Sequence, residues 1–577
     1  MSTLVLRSVK GSPLTSAEID ANVTNLNTDK ADKASPTFTG AVTLPNSLVQ
    51  VTASSYPTIQ PSLNLDFANS KQLDPRITFV RNSTAAYYDG QTSAMAEQNL
   101  LLQSQTFATT WVTSNTTLGS VTTAPDGTTT AYPLTASAIN GTLLQTFTAT
   151  ATAYTFSIYI QRVTGTGNID ITVDGTTYAT QTTSGTWTRF TITTTPAAGS
   201  KTAGIRLAVS GDVVNIWGAQ LEQRSSVTAY TPTTTAAITN YIPVLLSAPA
   251  GVARFDCDPI TGNSLGLLIE ESRFNLLDFS SSFATSGGVQ NNWADTNITR
   301  TAAAFIAPDS TQVGIQFTAS AANATVISTA AVGSSLARTF SVWLKRISGT
   351  GVINYTLDNG TTWIAQAITS TVTRYIFTTT TANQQVGFQI VTAGDSIGIW
   401  GAQLEAGSFA TSYVATLAST VIRAADQASI TGTNFSSWYN QSQGSFYVEF
   451  DLIGLIKASQ GMNILAVHNS SGLGLDLYKT TSAGVSVYIG TINSSVIPSP
   501  TINTNYKSLL AYTQTNLNTS INGATPITTT GVLPMAISSL GIGYDNVSSS
   551  NYSSTHIRKL SYYPVALSSS NLVALTS

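Results

Sequence analysis

The feature that most constrains this chain is that it contains much of itself twice. NLLLQSQTFAT from Asn99 returns as NLLDFSSSFAT from Asn275, and APDGTT from Ala124 returns as APDSTQ from Ala307. TFSIYIQRVTGTG from Thr155 returns as TFSVWLKRISGTG from Thr339, and TRFTITTT from Thr188 as TRYIFTTT from Thr373. Each copy closes on one phrase, NIWGAQLE at Asn215 and GIWGAQLE at Gly398. Matches held about 180 residues apart define a duplicated globular unit, because solenoid repeats recur every ~20–50 residues. At 577 residues the chain is too long for a single core, which leaves room for a further domain behind the two copies.

Inside each unit the apolar residues alternate. In TFSIYIQR, Phe156, Ile158 and Ile160 fall on one side and Ser157, Tyr159 and Gln161 on the other, the period of a half-buried strand. Short runs of this kind between Gly and Asn turns predict antiparallel sandwiches. Jelly-rolls are expected rather than antibody-type sandwiches, since the Cys…Trp…Cys spacing is absent. Charged residues make up only 9% of the chain while apolar ones reach 42%, so it folds behind a neutral surface rich in hydroxyls and amides. The fold class predicted is all-β.

Composition also excludes functions. A net charge near −3 supplies no basic stripe for nucleic acid. No apolar run approaches the ~20 residues of a membrane-spanning helix, so no membrane insertion is expected. One cysteine, Cys257, rules out an internal disulfide framework, and two histidines, His468 and His556, make a His/Cys metal cluster implausible. MSTLVLRSVKG lacks a long apolar segment and a cleavage site, so it does not read as a signal peptide. Cytoplasmic synthesis followed by release is the corresponding expectation.

Ahead of the first copy, Thr15 and Glu18 fit a capping box, and Ile19, Val23, Leu26, Lys30 and Lys33 keep a heptad spacing. Too short to stand alone, this helix is expected to align chains in an oligomer before Ser35-Pro36 ends it. Beyond Ala424, GSFYVEFDLIG, GLGLDLYKT, GVSVYIG and YKSLLAYT read as strands of a third sandwich, followed by a short helix capped by Ser568 or Ser569. The domains expected are a stem over 1–60, a β connector over 61–98 and a jelly-roll over 99–236. A second connector over 237–274, a second jelly-roll over 275–423 and a terminal sandwich over 424–577 follow.

FVRNSTAAYYDG, RFDCDPITGNSLGLLIEESRFNLL (Arg254 to Leu277) and the WGAQLE…TSY closings resemble tailed-bacteriophage fibre proteins, and KADKASPTFTGAV (Lys30 to Val42) resembles the stems of tail fibres. SINGA, LGIGYDN and HIRKLSYYP resemble the concanavalin A-like, laminin-G-like lectin fold, and the repeated units are similar to jelly-roll carbohydrate-binding modules. The resemblance covers nearly the whole chain. At Cys257 the chain departs from the His common in that family. What it implies is a homotrimeric virion fibre, attached to other virion proteins through its N-terminus and touching a bacterial surface polysaccharide.

Candidate chemistry is sparse. Glu449 and Asp451 sit two apart in FYVEFDL, but no further carboxylate follows as in laminarinase-like enzymes, so a polar strand face is expected and not a glycosidase pair. No nucleophile elbow, P-loop or HExxH motif occurs. His468 reads as a strand-end residue. Asp126 and Asp309 hold equivalent places and are candidates for a structural calcium, with a simple Asp turn as the alternative. Sugar recognition calls for aromatic rings set among amides and carboxylates. Tyr159 and Trp343 are equivalent, as are Tyr178 and Trp363, and these four are the glycan-binding candidates; Trp187 has only Val372 opposite it. Alternation puts Trp217 on one face with Ala219 and Leu221, so Trp217 and Trp400 are expected as structural anchors. The function expected is a non-enzymatic receptor-binding fibre in the virion, with a structural capsid or tail decoration and a polysaccharide depolymerase as alternatives.

Overall fold

The strand Gly141–Ala149 alternates buried and exposed side chains along its length, with Leu143 and Phe147 inward and Thr146 and Thr148 outward. This period repeats across the computed structural model of the protein, which describes residues 60–283, 292–311, 314–329, 336–380, 385–454, 461–480 and 484–577. The stem expected over residues 1–60 lies outside the described residues, Gln60 excepted. Among them the chain is almost entirely antiparallel β-structure arranged in sandwiches, as the apolar alternation predicts.

The duplication is kept strand for strand. In the first copy one sheet runs in the order Tyr178–Gln181, Ile169–Thr172, Gly199–Leu207, Gly141–Ala149, Val112–Ser114. Its counterpart in the second copy runs Ile364–Gln366, Ile353–Thr356, Gly387–Ile390, Ala324–Ser328, Trp293–Thr296. The opposing sheets correspond in the same way, each with the closing phrase in its central strand, Val213–Glu222 and Ser396–Ala406. Each sandwich encloses its own core, around Phe156 and Ile205 in one and Phe340 and Phe388 in the other.

A third sandwich is assembled from distant pieces of chain. One of its sheets contains Gly444–Leu452, Tyr506–Tyr512 and Thr555–Tyr563, and it is extended by Arg254–Cys257, Ser264–Ile269 and Leu63–Asp66. The facing sheet holds Gln427–Thr431, Met462–His468 and Ser539–Ile542, with Thr78–Val80 on its edge. Both connector segments therefore supply strands to the sandwich of the C-terminal region. Each jelly-roll is in turn set between two antiparallel strands. Ala85–Asn99 pairs with Ile238–Ala248 around the first copy, and Arg273–Asn275 with Val421–Arg423 around the second. The terminal helix Ser569–Thr576 starts at the Ser568 cap, whose hydroxyl accepts the Asn571 N–H.

Where these pieces meet lies a buried charge network. Arg81 and Arg254 both reach Asp426, at 3.0 and 2.5 Å, while Arg254 and Arg423 both reach Glu270, at 2.7 and 3.4 Å. All five side chains are fully buried. Burial disfavours the Glu270 carboxylate, but Arg423 and Arg254 outweigh it and hold its pKa well below the usual range. In a chain with so few charges, these five join residues from positions 81, 254, 270, 423 and 426.

Candidate functional site

The closing phrase is a set of clamps. Gly218 and Gly401 have φ of +64° and +67°, which glycine tolerates most readily. Aromatic rings lie directly over both: a Cβ on Gly401 would stand 2.7 Å from the Trp343 ring. The left-handed residue breaks the alternation of the strand, and the register slips between Trp217 and Gln220. Contrary to the expectation from simple alternation, Trp217 consequently does not share a face with Ala219 and Leu221. Ile216, Ala219 and Leu221 enter the main core, and Trp217 lies in a separate cluster with Tyr159 and Tyr230. Trp217 and Trp400 are nonetheless both buried, with 5% and 1% exposure.

The other letters of the phrase hold the chain that follows. Glu222 accepts from the N–H and hydroxyl of Thr228, and Glu405 does the same for Thr411. Gln220 accepts the Thr231 N–H and Gln403 the Val414 N–H, each at 2.6 Å. The opening asparagine of each copy completes the closure: Asn99 donates to the carbonyls of Ala219 and Thr231, and Asn275 to those of Ala402 and Val414. Beginning and end of each unit are thus tied by the same residues.

The four aromatic candidates separate into two kinds. Tyr159 packs edge-on against Trp217 at 5.3 Å beneath Arg189, and Trp343 packs against Trp400 at 5.2 Å beneath Arg374. Trp343 is only 4% exposed, because the Ala85–Asn99/Ile238–Ala248 ribbon covers it with Ala86 and Leu245. Tyr178 and Trp363 sit elsewhere, on the outer side of the first-described sheet of each sandwich, and both are half-buried.

Polar groups gather around this second pair. Ile169 and Ile171 point into the core, so Asp170 and Thr172 face outward beside Tyr178. Arg206 pairs with Asp170 at 2.8 Å and lays its guanidinium over the Tyr178 ring at 3.9 Å. Thr180 donates to the other Asp170 oxygen at 2.6 Å. In the second copy Asn354 opposes Gln389 where Asp170 opposes Arg206, and their amides bond at 2.8 Å. Trp363 precedes the strand that pairs with that of Asn354, its ring against Gly360. One face therefore carries an ion pair stacked on a Tyr, and the other an amide pair and a Trp. Such a surface offers a flat apolar ring edged by donors and acceptors, suited to a ligand with an apolar face and a rim of hydroxyls. Sequence reading found the aromatic of each face but missed Asp170, Arg206, Asn354 and Gln389. Their strand positions also correspond between the copies, but the residue types differ, so letter matching passes over them.

Asp126 and Asp309 each accept from the N–H and hydroxyl of the residue two further on, Thr128 and Thr311. Both carboxylates thus close their own turns. Among the described residues no group of three or more His, Cys, Asp or Glu is placed to hold a metal ion. Glu449 bonds to Tyr447 and Asn505, whereas Asp451 is buried against His556 at 2.8 Å. His468, at its strand end, lies between Asp476 at 2.8 Å and Asp545 at 3.2 Å.

The fold and these faces define a multi-sandwich β-protein with aromatic-polar sheet surfaces. No family model matches the chain, and no curated protein matches it significantly. Among solved structures it is similar to the CBM40 of the Ruminococcus gnavus IT-sialidase, bound to alpha2,3 sialyllactose. There the identity is 16% and the TM-score 0.21, over 25% of this chain and 87% of that one. The CBM22-1-CBM22-2 tandem of Paenibacillus barcinonensis Xyn10C is similar at 12% identity and a TM-score of 0.19, over 54% and 99%. Trypanosoma rangeli sialidase is similar at 8% identity and a TM-score of 0.21, over 90% and 97%. Carbohydrate-binding modules and sialidases are thus among its structural neighbours.

Proposed function

We propose that this chain is a bacteriophage receptor-binding fibre that binds host cell-surface glycans through its sandwich faces without cutting them. The observation that carries the reading is the recurrence of Tyr178 and Trp363. Both are half-exposed at one equivalent place on the outer side of a sheet that carries a polar pair, while Tyr159, Phe190 and Tyr375, also half-buried, pack against core clusters. An aromatic kept on the outer side of a sheet, away from the core, has packing reasons least of all for being there. The fibre assignment draws on the resemblance of Arg254 to Leu277 and of Lys30 to Val42.

In this reading three chains associate through the stem, which joins the fibre to other virion proteins. Six weak faces then act on a surface of repeated glycans, where effective concentration raises avidity without new contacts. The test is binding of the purified full chain to an array of bacterial surface polysaccharides, with sedimentation to give its mass. The reading expects binding without release of reducing ends, and a particle three times the 60.4 kDa chain. Absence of binding to every polysaccharide of a host that the phage adsorbs to, or new reducing ends, would sink it.

A further inference from the structure

Between the second jelly-roll, the long two-stranded ribbon and the edge of the third sandwich lies a cavity of about 410 Å³. Ligand pockets span roughly 300–1,000 Å³, so it is large enough for a small molecule. Ile242, Pro243 and Leu245 of the ribbon form one wall and Trp343 and Val372 of the jelly-roll another. Ile260, 92% exposed, stands at the rim. Tyr88 adds a hydroxyl whose pKa burial pushes up to about 12, so it stays a neutral donor.

Four charged side chains line this cavity: Asp256, Glu270, Arg374 and His556. Three have counter-ions. Glu270 is held by Arg254 and Arg423, and Asp256 lies 3.3 Å from His556 and accepts the Tyr88 N–H at 2.7 Å. His556 is also bonded to Asp451. Arg374 is different. It donates from Nη2 to Ser341 Oγ at 2.8 Å and lies over the Trp343 ring at 4.7 Å, and its Nε, like that of Arg189, is buried without a partner. Among the described residues no carboxylate stands within ion-pair distance of it. Burial works against its charge, and Glu405 and the cavity's own Glu270 offset part of that effect from beyond ion-pair distance, while an arginine keeps its proton in a protein.

The first copy shows the contrast. Arg189, the equivalent residue, makes the same bond to Ser157 at 2.9 Å and also donates from Nη1 to the Thr228 carbonyl at 2.7 Å. Arg374 lacks that second bond, among the described residues, and faces the cavity instead. A carboxylate in the cavity would match the guanidinium fork and give it the close partner that Glu405 and Glu270 do not supply.

We propose that this cavity takes a carboxylate carried on a compact six-membered ring, a uronate sugar, with Arg374 holding the carboxylate and the apolar walls the ring. That the ligand is a sugar rests on the function proposed above; the choice of an anion rests on Arg374, which lines the cavity with no carboxylate within ion-pair distance among the described residues. Calorimetric titration of the full chain with glucuronate, cyclohexanecarboxylate and glucose tests both. Glucuronate should bind at least tenfold more tightly than glucose, and Arg374→Gln should abolish that preference. Ile260→Asp, on the exposed rim, should weaken glucuronate binding several-fold with an unchanged melting curve, which separates charge from folding. Replacing both Tyr178 and Trp363 by alanine should leave glucuronate binding intact, so failure of the sheet faces and failure of the cavity are told apart. Binding of cyclohexanecarboxylate alone would overturn the sugar assignment. Equal binding of glucose and glucuronate, no binding of either acid, or a preference that survives Arg374→Gln would overturn the proposal.

Discussion

Tyr178 and Trp363 hold one register position in two sheets built alike. Tyr178 lies opposite Thr172, and Trp363 directly precedes Ile364, which lies opposite Tyr355. Each ring is half-buried on the outer side of its sheet. Truncating either to alanine should cost about 1–2 kcal/mol of glycan affinity, the range of an interface anchor and roughly tenfold in Kd. Thermal unfolding should barely change, because neither ring belongs to a core cluster. Calorimetric titration and a melting curve on each variant check the two halves of this prediction.

Asn275 ties the start of the second copy to its end. Its amide donates to Ala402 and Val414 and accepts from Leu277 and Leu404, all with the side chain fully buried. Asn275→Ala strands two N–H groups and two carbonyls and should destabilise the unit by about 2–4 kcal/mol. Asn99→Ala should act alike on the first copy. Urea unfolding followed by tryptophan fluorescence reads the change.

The duplication, the strand period and the closing strand were legible in the sequence because each is a local or repeated pattern. The side taken by Trp217 was not, since one left-handed glycine, Gly218, reverses the alternation that places Leu221. The pairing of Leu63–Asp66 with Thr555–Tyr563 joins residues some 500 positions apart, and no local period announces it. Arg374 could have been noticed. It repeats Arg189 in TRF and TRY, and a charge retained in a chain this poor in charge deserves a reason.

Arg254 joins Asp426 and Glu270 with no exposure of its own side chain. Arg254→Met leaves both carboxylates short of a buried partner and should cost about 3–5 kcal/mol. Arg254→Lys should rescue little of this, because one ammonium cannot repeat the forked contacts to Asp426, Glu270 and Ala86. Differential scanning calorimetry should show the transition of the third sandwich move down in both variants.

Burial alone would depress the two histidines. Asp451 and Asp256 instead hold the His556 pKa at about 10, and Asp476 and Asp545 hold that of His468 at about 9. The folded-state values lie above the ordinary value near 6.5, so the stability these ion pairs add is fully present below about pH 6.5. It is lost as the pH rises through about 9 and 10. The melting temperature of the wild type should therefore fall between pH 7 and pH 10, and that of a His556→Gln variant should fall less over the same range.

The most direct test of the account counts sites. Titrating the full chain with one neutral oligosaccharide that it binds should give two sites per chain. Tyr178→Ala and Trp363→Ala should each weaken one of the two roughly tenfold, and the double variant both, with the fold retained by circular dichroism. Unchanged stoichiometry and affinity in the folded double variant would contradict the claim that these two sheet faces bind the glycan.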